Sequence, residues 1–262
     1  LQKDNIQGLI IDLTDNGGGS MDEAIKLAGM FIDSGPISIV IDNSQKRTVL
    51  YDPYRGMISK NPIVLLINGN SASASEFFAS IVQDYNRAIV LGSTTVGKAT
   101  MQSILPLDDM DTENFGKVTI NKFYRINGKS HQGIGIVPNI KLPAVYENLN
   151  PKESNSQNAL LNDSISSNLN YKTYINSKTV ARIVENSKGR IASNSFYNEV
   201  NQINKKIEEQ IERPKMAIPL TIGAVFEEQK IITQLGEQIN DLEHRKNGLT
   251  IYNSTINNLT QR

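Results

Sequence analysis

A serine and a lysine that could act together as nucleophile and base lie in neighbouring segments of the sequence. Ser73 is the middle serine of SASASE at positions 71–76, and Lys98 ends the segment GSTTVGK at positions 92–98. A neutral lysine can take the proton of a serine hydroxyl, which then attacks a carbonyl carbon. A lysine is neutral near pH 7 only when burial lowers its pKa, so this chemistry requires a partly enclosed side chain. The pair predicts a Ser-Lys dyad.

The residues around Ser73 also have a simpler interpretation. Ser73 and Glu76 match the Ser-x-x-Glu capping box, and most serines in that pattern only cap a helix. The same helix start offers free backbone N–H groups and the positive end of the helix dipole, which can hold a developing oxyanion. Ala72 and Ala74 leave room for a substrate backbone. From these residues alone, both interpretations of Ser73 stay open.

The segment around Lys98 has alternatives of its own. Most lysines are simply exposed, but no other charged residue occurs from Ser93 to Leu107. Gly-x-x-x-x-Gly-Lys after a strand is also most of a phosphate-binding P-loop. In that motif a serine or threonine follows the lysine and binds magnesium, whereas Ala99 stands here and Pro106 interrupts any following helix. Nucleotide binding is therefore not predicted.

Apolar runs and helical patterns occur where they could position these side chains. A strand over 63–68 leads into the serine segment, a helix over 77–85 follows it, and a strand over 88–91 leads towards Lys98. Upstream, the apolar run 8–13 precedes a triple glycine and a further helix. Together with a strand over 37–41, this order predicts an α/β core with a mainly parallel sheet.

The pattern changes beyond this segment. Residues 118–124 alternate like a half-exposed strand, Asn127-Gly128 is a hairpin signal, and residues 133–138 read as a last strand. Polar, Asn/Ser-rich sequence and then helical periodicity follow. We therefore expect a catalytic core over 1–145 and a mostly helical region over 146–262. Within that region we predict helices over 179–186, 196–213 and 222–245.

Composition excludes several classes of site. The 262 residues hold 27 basic and 27 acidic side chains, so nothing indicates binding to nucleic acid. There is no cysteine and there are only two histidines, which makes a histidine metal site or a Ser-His-Asp triad improbable. We expect no cofactor. Because the chain starts at Leu1 and strand-like sequence follows within eight residues, we expect it to be a piece of a longer protein.

Four segments together resemble the tail-specific protease family, also called C-terminal processing peptidases. The matching segments are GLIIDLTDNGGG at 8–19, SASASEFFASIVQDYNR at 71–87, GKATMQ at 97–102 and KFYRINGKSHQGIGIVP at 122–138. They occur in the order typical of the family. The helical region makes the chain most similar to the bacterial periplasmic branch. The resemblance implies a crotonase-like (ClpP/crotonase) α/β core followed by a mostly α-helical C-terminal region.

The resemblance also assigns roles to individual residues. It implies that Ser73 is the nucleophile and Lys98 the base. Gln102 would orient the lysine, and Asp84, at the end of the helix, is usually grouped with the active site. No other catalytic group is implied.

The resemblance further implies an oxyanion hole formed by the backbone N–H groups of Gly19 and Ala74. The sequence departs from the family pattern at Thr14, where arginine is common, at Ala99, where glycine follows the lysine, and at Asn139, where aspartate follows the proline. None of these departures removes a catalytic group.

The resemblance therefore implies a serine endopeptidase that acts on proteins with accessible C-terminal tails and is located in the periplasm. The family places a PDZ domain ahead of this core, and an adaptor or a second copy would bind through the helical region. Two other classes stay open: a non-catalytic binding or scaffold fragment that is inactive without its upstream part, and a crotonase-type enzyme acting on acyl-thioesters. Turnover of a thioester would favour the latter.

Overall fold

The computed structural model describes residues 6–107, 114–211 and 221–245. These residues form eight strands and five α-helices, in the order β1 (Leu9–Asp12), α1 (Met21–Gly29), β2 (Pro36–Asp42), β3 (Arg47–Tyr51), β4 (Ile63–Ile67), α2 (Ala74–Asp84), β5 (Ala88–Gly92), β6 (Thr100–Pro106), β7 (Phe115–Tyr124), β8 (Ile140–Lys141), α3 (Ser177–Ala192), α4 (Ser195–Ile211) and α5 (Ile222–Glu243). The chain divides into two compact units between Asn204 and Lys205, within α4.

The first sheet is parallel, with strand order β1-β4-β5-β8. Ile63, Leu65 and Ile67 of β4 are buried, and the residues between them are half-buried, because β4 is a central strand with cover on both faces. This confirms the expected α/β core with a parallel sheet. It also places the end of β4 immediately before the serine segment and the end of β5 before Lys98.

The second sheet is antiparallel, with strand order β3-β2-β7-β6. The strand predicted over 37–41 pairs here, with β3 and with the strand predicted over 118–124, rather than in the parallel sheet. The register of β6 shifts between Met101 and Gln102, which re-aims the side chains at that end of the strand. The β6 strand is an edge strand that contacts only β7 within the sheet.

Helices α1 and α2 share one apolar core with both sheets. Helix α2 lies against β5. Its Phe77 meets Phe123 of β7 edge-on with ring centroids 5.3 Å apart, and its Phe78 meets Phe31 at 6.1 Å. Since α2 is buried along most of its length, its first residue, Ala74, is fixed in space by the packing of the whole helix.

The polar segment after residue 145 is held on the core by hydrogen bonds. Ser164 forms an antiparallel bridge with Lys129, and the Tyr174 N–H donates to the Tyr85 carbonyl at 2.9 Å. The compact unit that contains the predicted core thus extends well beyond residue 145. The division into regions 1–145 and 146–262 stays a prediction.

The second compact unit begins at Lys205. Ile207, Ile239 and Leu242 are buried, and Lys206 Nζ donates to Gln238 Oε1 at 2.9 Å. Helix α5 is the helix predicted over 222–245, while α3 is longer than the predicted helix over 179–186. None of the helices described is long and apolar enough to span a bilayer.

Candidate active site

Ser73 occupies the junction between the β4 loop and α2. Its φ of 55° and ψ of −114° lie outside the extended region that capping serines adopt, and its hydroxyl makes no capping hydrogen bond within the described part of the chain. A non-glycine residue with positive φ is a strained conformation, which persists only where the surroundings impose it. The Ser73 hydroxyl, on a half-buried residue, is therefore not used as a helix cap.

The glycine turn packs directly on this junction. A Cβ on Gly18, whose φ is +102°, would lie 2.7 Å from the Ala72 carbonyl oxygen and 2.8 Å from the Ala74 nitrogen. Asn16 fixes the approach, because its carbonyl accepts from the Ala72 N–H at 3.0 Å and its side-chain oxygen accepts from Ser75 Oγ at 2.9 Å. The glycine turn and the start of α2 thus form one rigid corner.

A cavity of about 470 Å³ opens at this corner, and we call it the Ser73 cavity. Four of the six residues assigned from sequence line it: Gly19, Ser73, Lys98 and Gln102. Ala74 is adjacent to Ser73, with its N–H at the first turn of α2. The structure therefore brings five of the predicted residues to one place.

Lys98 enters the cavity from the loop after β5. Its side chain is half-buried, and its Nζ donates to Gln102 Oε1 at 3.0 Å. Gln102 is on β6 at the shifted register, so the strand irregularity aims its amide at the lysine. The structure thus contains the lysine–glutamine contact that the resemblance implied.

Glu76 is the important residue that sequence reasoning assigned only to capping. Its side chain is 0% exposed, and its Oε2 accepts from the backbone N–H groups of Ser73 at 2.9 Å and Lys98 at 2.8 Å. Its Oε1 accepts from the Gly97 N–H at 2.7 Å and the Thr95 hydroxyl at 2.5 Å. Burial raises the pKa of this carboxyl, and the four hydrogen bonds oppose that rise. The sequence feature that could have indicated this role is the position of a charged residue, Glu76, among small residues.

Asp84 does not reach the Ser73 cavity. It lies at the other end of α2, an 11-residue helix, and therefore roughly 16 Å along the axis from Ser73. Its carboxylate accepts from Arg125 Nη2 at 2.5 Å and from Asn127 Nδ2 at 3.1 Å. Burial raises the pKa of Asp84, and the Arg125 charge opposes the rise. The observed contacts of Asp84 hold the turn at residues 125–129, which follows β7, against the end of α2.

A second cavity of about 320 Å³ adjoins the first, and we call it the side pocket. It shares Met21, Asp22 and Met101 with the Ser73 cavity. Its other walls are apolar on one part (Ile25, Val40 and Leu50) and polar on the other (Asp42, Lys46, Thr48 and Asn121). A chain passing Ser73 could therefore place a side chain with an apolar stem and a polar end in this pocket.

The sequence that forms this site also matches a known protein family. Residues 1–142 match peptidase family S41. The match covers more than half of the 262 residues. The chain belongs to peptidase family S41, which confirms the resemblance to tail-specific proteases.

Individual relatives carry names that agree with the family. The chain is 38% identical over 201 residues to the tail-specific protease of Haemophilus influenzae, covering 71% of this chain and 29% of that protein. It is 36% identical to the carboxy-terminal-processing protease of Bartonella bacilliformis, and the match covers 55% of this chain and 34% of that protein. A solved structure of the photosystem II D1 C-terminal processing protease is 29% identical in sequence, with a TM-score of 0.49. The match covers 54% of this chain and 36% of that protein. The chain spans about a third of the length of these proteins.

Proposed function

We propose that this chain carries the catalytic core of a serine endopeptidase that cleaves proteins with accessible C-terminal tails. The observation that carries the proposal is the shared cavity of Ser73 and Lys98, whose backbones are tied together by Glu76. Membership of a peptidase family and the names of the relatives support the same reaction class.

In the proposed reaction, Ser73 Oγ attacks the scissile carbonyl carbon while its proton passes to the neutral amine of Lys98. The C–N bond then breaks as the Lys98 ammonium returns that proton to the leaving amine. A water molecule attacks the resulting ester, again losing its proton to Lys98, and the ester bond to Ser73 breaks with a proton returned to the serine oxygen. Gln102 Oε1 accepts one N–H of the lysine and thereby sets the direction of its lone pair.

The backbone N–H groups of Gly19 and Ala74 would hold the oxyanion. Oxyanion donors act when they lie about 2.7–3.1 Å from the developing charge. Gly18 lets the turn that carries Gly19 approach the start of α2, because a Cβ on Gly18 would lie 2.7 Å from the Ala72 carbonyl oxygen and 2.8 Å from the Ala74 nitrogen. This close approach supports an oxyanion hole formed from both segments.

The proposal assigns Asp84 a positioning role, because it holds the far end of α2 through Arg125 and touches nothing in the cavity. Substrates are extended protein or peptide chains that place one side chain in the side pocket. From the resemblance to the tail-specific protease family we also propose that the protein is periplasmic and that its helical region recruits an adaptor or a second copy.

Digestion of an unfolded test protein by the full chain tests this function. We expect cleavage by the wild type, no cleavage by Ser73→Ala or Lys98→Ala, and full cleavage by Ser156→Ala, which changes an exposed serine outside the cavity. Equal cleavage by wild type and Ser73→Ala, or none by the wild type, would refute the proposal for this chain.

A further inference from the structure

The loop that carries Lys98 has no regular secondary structure, yet its backbone is almost fully hydrogen-bonded. We call residues 94–99 the lysine loop. Its N–H groups donate to Ile136 O, Ser71 O, Glu76 and Gln132 Oε1. The Gly97 carbonyl accepts from the Gly133 N–H at 2.7 Å. Because buried backbone groups without partners are costly, these contacts determine where the loop lies.

The carbonyls of residues 94–96 are held by a segment outside the predicted catalytic core. Lys152 Nζ donates to the carbonyl oxygens of Thr94 at 2.8 Å and Thr95 at 2.9 Å. The Glu153 N–H donates to the Val96 carbonyl at 3.0 Å. Three consecutive carbonyls are therefore held by two residues, and both lie beyond residue 142, where the family match ends.

Lys152 is an unusual lysine for a polar connecting segment. Its side chain is half-buried, and its ammonium is directed inward to main-chain oxygens, in contrast to Lys141, whose side chain is 63% exposed. Burial lowers the pKa of Lys152, and the negative charge of Glu76 opposes the lowering. The ammonium thus offsets part of the charge of the carboxylate that joins Ser73 to Lys98.

We propose that Lys152 is a positioning residue for the Ser73–Lys98 reaction, acting through the carbonyls of Thr94 and Thr95. This inference rests on the proposed function. These carbonyls lie close to the dyad in the chain, because the Thr95 hydroxyl and the N–H groups of Gly97 and Lys98 all donate to the Glu76 carboxylate. Loss of the ammonium leaves two neighbouring carbonyls without a donor, so the loop shifts and the base moves relative to the nucleophile.

The predicted signature is kinetic. The walls of the cavities do not include Lys152, so KM should stay within about twofold of the wild type. A displacement of the base by about 1 Å costs on the order of 100-fold in rate, so kcat of Lys152→Met should fall about 10- to 100-fold. Lys141→Met is the matched control, since it removes a lysine that contacts only Glu147 among the described ion pairs, and it should keep both constants.

Chemical rescue separates a hydrogen-bonding ammonium from a general packing effect. The chain contains no cysteine, so Lys152→Cys creates a single thiol in the full chain. Alkylation with 2-bromoethylamine rebuilds an ammonium of nearly the same length, whereas iodoacetamide gives a neutral side chain. We expect the aminoethylated protein to regain at least a quarter of wild-type kcat and the carbamidomethylated protein to remain about 10-fold or more below it.

Labelling of Ser73 with a fluorophosphonate, measured beside peptide cleavage, keeps the two hypotheses apart. If the wild type neither cleaves nor labels, the proposed function fails. If the wild type is active and Lys152→Met equals it, or the two alkylated forms of Lys152→Cys have equal kcat, the positioning role of Lys152 is refuted while the proposed function stands.

Discussion

The backbone N–H groups of Ser73 and Lys98 donate to the same oxygen atom, Oε2 of Glu76, at 2.9 and 2.8 Å. One buried carboxylate therefore joins the start of α2 to the lysine loop. The two residues come from different connections of the sheet, and nothing else ties their backbones to a common atom among the described hydrogen bonds. Their relative position depends on the charge and geometry of this side chain.

Substituting Glu76→Gln should therefore reduce both stability and activity. The side-chain amide offers one oxygen and an NH₂ group to four donors, so at least one buried N–H loses its acceptor. We expect the free energy of unfolding to fall by about 1–3 kcal/mol and kcat to fall at least 10-fold. Urea unfolding and peptide cleavage measure the two effects. Glu23→Gln, at a side chain 71% exposed, should change neither, and an unaltered Glu76→Gln protein would contradict the joining role.

Substituting Gly18→Ala should lower activity strongly by displacing the oxyanion site. The new methyl group would lie within 3 Å of the Ala72 carbonyl oxygen and the Ala74 nitrogen, so the turn that carries the Gly19 N–H must shift away from Ala74. We expect kcat to fall about 100- to 1,000-fold, the usual cost of losing one oxyanion donor. Gly56→Ala is the control, because that glycine also has positive φ but has open space around its Cα. Similar rates for both variants would argue against this assignment.

Substituting Asp84→Asn should act on stability more than on chemistry. Arg125 would keep its charge in a largely buried site without its partner, which costs about 3–5 kcal/mol. Adding Arg125→Gln should recover part of this loss, and kcat of the folded protein should stay within about 10-fold of the wild type. A stable Asp84→Asn protein with no activity would instead place Asp84 in the chemistry.

His131 should make stability depend on pH. Its ring is 1% exposed, and neither nitrogen makes a hydrogen bond of good geometry among the described residues. Burial, with the Arg125 charge as a smaller cause, lowers the pKa of His131 to about 3. The Lys98 carbonyl, which would favour a protonated ring, only weakly opposes the lowering of the pKa. An unfolded histidine titrates near pH ~6.5, so between these values only the unfolded chain binds the proton and stability falls as the pH is lowered.

Urea unfolding at pH 7, 6 and 5 measures this dependence. The His131 contribution approaches about 1.4 kcal/mol per pH unit below pH ~6. We expect His131→Leu to remove that part of the slope and His244→Leu, at the exposed end of α5, to retain it. Equal slopes for wild type and His131→Leu would show that the ring is protonated in the folded state.

Much of this site follows from local sequence. The apolar runs predict β4 and β5, because a central parallel strand is buried on both faces and is therefore apolar along its whole length. The small residues around Ser73 and the glycines at 17–19 predict where the backbone must approach closely. These local features are why the cavity contains the residues expected of it.

Other features depend on contacts between distant segments. The pairing of β2 with β7 joins residues about 80 positions apart, and no local pattern separated β2 from the strands of the parallel sheet. Glu76 fits a capping box, so a common local role concealed its contacts with the lysine loop. Lys152 lies in a polar connecting segment with no pattern, and only the fold shows that its ammonium points inward.

The way the lysine loop is held has a consequence for mutational tolerance. Thr94 and Val96 take part only through main-chain atoms, so exchanging their side chains leaves every described hydrogen bond of the loop in place. Thr95, between them, contributes its hydroxyl to Glu76 and to the Ile136 N–H. Neighbouring positions should therefore differ sharply in a saturation library, with free variation at 94 and 96 and strong selection at 95.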